Sequence, residues 1–209
     1  MYNKVLILSP HTDDGELGCG GFITKLKDIG SEIYYIAFSS AEKSVPKEYP
    51  KDILKMEVKK ATSILGIKEE NLFILNYEVR TFHEKRQNIL EDLIKFKKNI
   101  KPDLVLLPSL HDIHQDHITI AKEGLRAFKN TTILGYELPW NNLTIDTTCF
   151  VKLQEYNIKM KAKALRAYES QKNRVYFTEG FIFNLARTRG VQIGCDYAEV
   201  FEVIRLVID

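Results

Sequence analysis

Short apolar runs alternate with helix-length amphipathic stretches four times before residue 129, and this alternation constrains the fold more than any other feature. Val5–Leu8, Glu32–Phe38, Leu72–Leu75 and Leu104–Leu107 read as strands, with β-branched and aromatic side chains dominating the second. Residues 16–28, 52–65, 85–99 and 115–128 carry apolar side chains at helical spacing, and Gly30 and Gly66 stop the first two helices. Such alternation is the mark of βαβ units: a parallel sheet with helices on both faces. The last third is less regular. It predicts strands at 132–136, 148–153 and 198–207 and helices at 156–168 and 180–189. No repeat, low-complexity tract or linker interrupts the chain, so residues 1–209 are read as one domain.

Topology says where such a sheet does chemistry. In the doubly wound order 3-2-1-4, strands 1 and 4 are neighbours, and ligands bind beyond their carboxyl ends, where the winding reverses. Pro10-His11-Thr12-Asp13-Asp14-Gly15-Glu16 follows strand 1. His111-Asp112-Ile113-His114-Gln115-Asp116-His117 follows strand 4. Two histidine- and aspartate-rich segments about a hundred residues apart are thereby expected to meet in one crevice.

Composition narrows the classes of function. The net charge of +2 and the lack of a Lys/Arg cluster argue against a nucleic-acid partner. No apolar run approaches the roughly 18 residues of an integral membrane segment, and the N-terminus lacks a signal-peptide pattern. Cys19, Cys149 and Cys195 are odd in number and far apart, fitting neither a disulfide framework nor a CxxC metal site. The expectation is a soluble cytoplasmic protein; whether it forms a homo-oligomer is not legible.

Imidazole and carboxylate together make the ligand set of a catalytic zinc site. His11 and Asp14, three apart in a loop entering a helix, can be aimed at one ion, which leaves Asp13 as a carboxylate beside attacking water, the place of a general base. The plain alternative, that the acids complement the helix N-terminus, leaves His11 unexplained; for Glu16 it is the preferred reading. Gly15, Gly18, Gly20 and Gly21 do not form a nucleotide-binding G-x-G-x-x-G and are read as permitting close helix–sheet packing, with Cys19 as a small core residue. In the second segment His114 and His117 share a helix face, so one can bind metal while the other faces substrate. Asp112 and Asp116 are available to fix an imidazole tautomer. His83, in a charged stretch, is read as surface or substrate rim.

Residues 10–21, Pro-His-Thr-Asp-Asp-Gly-Glu-Leu-Gly-Cys-Gly-Gly, resemble the His-Pro-Asp-Asp-x-Glu signature of the PIG-L (LmbE-like) zinc-dependent N-acetylglucosaminyl deacetylases. His114-Gln-Asp-His117 resembles the second family signature, His-x-Asp-His, and Lys161–Gln171 and Tyr197–Phe201 look like the family's tail. The resemblance implies a Rossmann-like three-layer α/β sandwich with a mostly parallel sheet. It implies one Zn2+ held by His11, Asp14 and His117, with Asp13 as base and His114 as electrophilic or acid partner positioned by Asp116. The substrate implied is an N-acetylated sugar or sugar conjugate, from which acetate is released. Thr12 stands where the family has proline. A helix that often carries a substrate-binding arginine here has only Lys51, Lys55 and Lys59. Arg80, Arg86, Arg187 and Arg189 are the alternative anchors, and Trp140, the only tryptophan, is read as a sugar-stacking or core residue. The competing readings are a metallohydrolase for another amide or ester, and a metal- or sugar-binding module without turnover.

Overall fold

The computed structural model describes residues 2–208. The elements are β1 (Lys4–Ser9), α1 (Asp14–Asp28), β2 (Glu32–Ala37), α2 (Ile53–Ile64), β3 (Leu72–Ile74), α3 (Arg86–Ile100), β4 (Leu104–Pro108), α4 (Gln115–Ala127), β5 (Thr132–Tyr136), β6 (Cys149–Leu153), α5 (Glu155–Leu165), α6 (Glu179–Val191) and β7 (Tyr197–Arg205). One seven-stranded sheet runs β3-β2-β1-β4-β5-β7-β6. The five strands from β3 to β5 are parallel, and β7 pairs antiparallel with both β5 and β6. The sheet is therefore mostly parallel, and the expected 3-2-1-4 order forms its core.

Continuous apolar runs in β1 and β4 follow from burial on both faces. On one face Val5, Ile7, Leu104 and Leu106 pack under α1, α2, α5 and α6; on the other Leu6, Leu8, Val105 and Leu107 pack under α3 and α4. Three layers result. The glycines of α1 do what their spacing suggested. A Cβ on Gly18 would come within 2.2 Å of the Tyr136 ring, and one on Gly21 within 2.6 Å of Leu153.

Helix α1 bends at Cys19, whose backbone leaves helical values (φ −143°, ψ 20°). A break frees amides that need new acceptors. The buried Glu199 carboxylate on β7 takes them, accepting from Gly21 N at 2.9 Å and Phe22 N at 2.7 Å, while Lys161 Nζ at 2.8 Å balances its charge. Cys19 is fully buried, and all three cysteines are unpaired. Most boundaries fall within a residue or two of the sequence reading, and two of the shifts bear on the site. Helix α1 begins at Asp14 rather than Glu16, and α5 ends at Leu165, so that Tyr168 turns inward beneath the first motif. Among the described residues no helix is long and apolar enough to cross a membrane.

Candidate metal centre and active-site cavity

Parallel pairing of Ile7 with Leu106 aligns the ends of β1 and β4, so the loops that follow meet above the sheet. The first loop is held from below. The Tyr35 and Tyr168 hydroxyls lie 2.9 Å and 2.8 Å from the Thr12 carbonyl, and both also reach the Glu16 carboxyl. Burial pushes the Glu16 carboxyl up to about 8, so it carries a proton at neutral pH. Glu16 stands in the first turn of α1, as read, but there its buried carboxyl supports the loop instead of offering a charge to the helix N-terminus. Thr12 is fully buried, and among the described residues its hydroxyl has no hydrogen-bond partner.

Three atoms converge above this platform. His11 Nδ1 lies 3.1 Å from Asp14 Oδ2, His117 Nε2 lies 3.2 Å from the same oxygen, and the two nitrogens are 3.3 Å apart. Tetrahedral zinc with bonds of about 2.0–2.1 Å sets its ligand atoms about 3.3 Å apart, so the triangle fits such an ion. The outer ring nitrogens are also engaged: His117 Nδ1 meets Asp112 Oδ2 at 2.7 Å and His11 Nε2 meets Asp116 Oδ2 at 3.0 Å. Carboxylates in these places hold each imidazole with its other nitrogen turned inward.

Without an ion, protons serve the same charges. Burial disfavours cationic His11 and His117, but the surrounding aspartates outweigh it. Asp14 and Asp116 raise His11 to about 9, while Asp14 and Asp112 raise His117 to about 10. Burial alone would raise Asp14, yet His117 and His11 hold it well below the usual carboxylate range.

His114 caps the N-terminus of α4, its Nδ1 accepting from the Asp116 amide at 3.2 Å. A nitrogen of His114 also falls within 4.8 Å of His11 and His117, making a second possible ligand trio. Burial, then the neighbouring His117 and His11, lower His114 to about 4, so it is a neutral imidazole at neutral pH. The expected contact between Asp116 and His114 is not made through the carboxylate. The His114 ring takes the Asp116 amide, while the Asp116 carboxylate engages other partners. Its Oδ2 meets His11 and the Arg80 amide (2.7 Å), and its Oδ1 faces the Phe82 amide.

Asp13 precedes α1 but makes no side-chain capping bond. Burial, then the Asp14 charge, raise its carboxyl to about 6. It opens onto a cavity of about 260 Å³ together with His11, Asp14, His114 and His117. Arg80 and Trp140 line the same cavity. Arg80 sits in the left-handed region (φ 70°), a strained conformation of a kind often kept at functional sites. Trp140 stacks on Tyr176 at 4.0 Å and 10°, so one of its faces is already covered. The other arginines named as anchors are taken: Arg86 by Glu123, Arg187 by Asp196 and Arg189 by Glu137. His83 is exposed at the surface, and His111 lies outside the three-atom triangle. The sequence reading missed Arg174, Tyr176 and Asn141 on the cavity wall. Gln171, also on the wall, had appeared only as part of the family-like tail.

A doubly wound α/β sheet with a histidine–carboxylate centre at its switch point defines a class of enzyme that activates water or a carbonyl. The family model described as PIG-L, GlcNAc-PI de-N-acetylase, matches residues 6–128, and the chain belongs to this family. It is 26% identical over 172 residues to the uncharacterized deacetylase YaiS of Escherichia coli (strain K12), covering 79% of this chain and 90% of that one. Its fold matches N,N'-diacetylchitobiose deacetylase from Pyrococcus horikoshii with a TM-score of 0.77 and 24% identity, over 97% of this chain and 84% of that one. GalB, the 4-carboxy-2-hydroxymuconate hydratase of Pseudomonas putida KT2440, has the same fold (TM-score 0.81, 17% identity, 99% and 98% covered). By its family the chain is a deacetylase, an enzyme of the amide-hydrolase kind.

Proposed function

We propose that this chain is a zinc-dependent N-deacetylase of N-acetylated, GlcNAc-type sugars, with His11, Asp14 and His117 as ligands and Asp13 as general base. The observation that carries the reading is the convergence of three ligand atoms at 3.1–3.3 Å beside the Asp13 carboxylate. His114 is left out of the ligand set because Asp14 Oδ2 completes the tighter triangle. A cavity of about 260 Å³ suits one sugar ring rather than a long glycan, and a diacetylchitobiose deacetylase is among the structures with this fold.

When bound, the metal polarises the acetamide carbonyl and eases deprotonation of the attacking water. Asp13 takes the proton as water adds to the acyl carbon. His114, neutral and with Nδ1 occupied, donates Nε2–H to the developing oxyanion, the electrophilic rather than the acid role of the two the resemblance implied. Asp13 then passes its proton to the departing nitrogen, and the C–N bond breaks to give acetate and an amine. Asp112 and Asp116 keep His117 and His11 in the orientation the ion requires.

The test is acetate release from N-acetylglucosamine and N,N'-diacetylchitobiose by protein stripped of metal and then reloaded with one equivalent of zinc. Release only by the reloaded protein supports the proposal. Reloaded protein that holds its zinc but releases acetate from neither sugar, while cleaving other amides or esters, moves the function to the broader metallohydrolase reading.

A further inference from the structure

His111, left outside the first triangle, has a cluster of its own. Its Nε2 lies 3.5 Å from Asp146 Oδ2 and 3.8 Å from Glu202 Oε1, and the three ligand atoms lie within 4.8 Å of one another. Glu202 is on β7 and only 7% exposed. Its Oε2 accepts from Ser109 Oγ at 2.8 Å and Leu110 N at 3.0 Å, whereas Oε1 accepts no hydrogen bond among the described residues and faces the cluster. Ser109 Oγ also receives the His111 amide at 3.1 Å, which ties the backbone at His111 to the same carboxylate.

The spacing does not suit a proton. An imidazolium paired with a carboxylate closes to about 2.7–2.9 Å, yet the His111 ring makes no hydrogen bond to either acid. The atoms stand back as they do around a central ion, whose ligand atoms lie about 3.3 Å apart. A few tenths of an ångström close the gap, and Asp146, exposed in the loop after β5, is free to supply them. One imidazole with two carboxylates favours a transition-metal ion over calcium or magnesium, which take all-oxygen sets.

We propose that His111, Asp146 and Glu202 form a second divalent-cation site that takes Zn2+ or a similar ion and staples the loop after β5 to the sheet. The loop contributes Trp140 and Asn141 to the catalytic cavity. On the other side, Asp112 adjoins His111 and holds His117. Occupancy therefore bears on the cavity wall and on the support of the first centre. With Asp146 exposed, the second ion binds more weakly than the first.

The experiment is metal content by elemental analysis after metal-free protein is equilibrated with buffered free Zn2+ over a wide range. Wild type is expected to take a second equivalent per chain, with a change in the fluorescence of Trp140. Asp146→Asn, on an exposed loop, is expected to keep the tighter equivalent and weaken the second by about tenfold or more. His111→Ala should do the same, and His11→Ala should keep only the weaker one. Saturation of wild type at one equivalent overturns the proposal. So does a second equivalent that survives unchanged in both Asp146→Asn and His111→Ala, or its disappearance in His11→Ala.

Discussion

Asp13→Asn separates what the carboxylate does for catalysis from what it costs the fold. Burial and the Asp14 charge raise the Asp13 carboxyl from 3.8 to about 6. At about 1.36 kcal/mol per pH unit, ionised Asp13 destabilises the metal-free fold by ~3 kcal/mol at most. The residue is half-buried, and solvent reach brings the figure to about 1–2 kcal/mol. The unfolded chain releases this proton near pH 4 and the folded chain near pH 6. The cost is therefore absent below about pH 4, grows between about pH 4 and 6, and is complete above that. Asparagine carries no charge at any of these values. Metal-free Asp13→Asn should match wild type near pH 4 and melt roughly 2–8 °C higher near pH 7.5.

The same variant, loaded with metal, should lose on the order of 10²–10⁴ in kcat while holding a full equivalent of the ion. Calorimetry of stripped protein at the two pH values, with kcat and metal content of loaded protein, gives both halves. Unchanged melting near pH 7.5 would refute the argument that the fold carries this carboxylate at a cost. A loaded variant with kcat within about twofold of wild type would remove Asp13 as the base.

Three further predictions rest on separate contacts. His11 and His117 titrate near 9 and 10 in the metal-free chain, so the ion displaces two protons at pH 7; apparent affinity should climb about 100-fold per pH unit from about pH 6.5 to 9, with proton release seen calorimetrically in buffers of different ionisation heat. Asp112→Asn, which weakens the grip on His117 Nδ1, should lower metal affinity about 10–100-fold in competition with a chromophoric chelator, and unchanged affinity would show that Asp112 does not orient the ligand. Thr12→Val removes a buried hydroxyl that has no partner among the described residues and should stabilise the protein by about 1 kcal/mol in denaturant unfolding; a loss of stability would mean the hydroxyl is satisfied after all.

The sheet core and the meeting of the two motifs were legible because they depend on short-range signals. Apolar runs such as Leu104–Leu107 fix β4, and once β1 and β4 are neighbours, residues just past their ends must converge. The partner of Asp116 was not legible. The resemblance implied His114, but the carboxylate meets His11 and the amides of Arg80 and Phe82, partners from distant parts of the chain that local sequence does not announce. Arg174 and Tyr176 were hidden for a different reason. They lie in an irregular stretch with no periodicity. Its course is set by long-range tethers, chiefly Glu57 on α2, which accepts from Ser170 N at 2.9 Å and Ser170 Oγ at 2.6 Å. The insertion of β7 between β5 and β6 was likewise invisible, since a last strand can join a sheet at more than one place.

The same fold carries a hydratase, so the scaffold alone does not decide what the activated water attacks. Both reactions give the proton taken from water a destination: water addition places one on the adjacent carbon, and amide hydrolysis places one on the leaving nitrogen, which must gain it before the C–N bond breaks. The group that deprotonates water must therefore also be able to give the proton back. A carboxylate held low by hydrogen bonds would accept poorly; one buried far from other charges would stay protonated and never act as base. In the metal-free chain Asp13 lies between these limits, near 6, because burial and Asp14 raise it while His11 and Arg174 restrain the rise. In the proposed mechanism His114 is not the source of that proton, since it is neutral and its Nδ1 is spent on the helix. In the mechanism we propose, the division of labour follows these two environments: the Asp13 carboxylate moves the proton in both directions, and the neutral His114 imidazole holds the oxyanion while it does so.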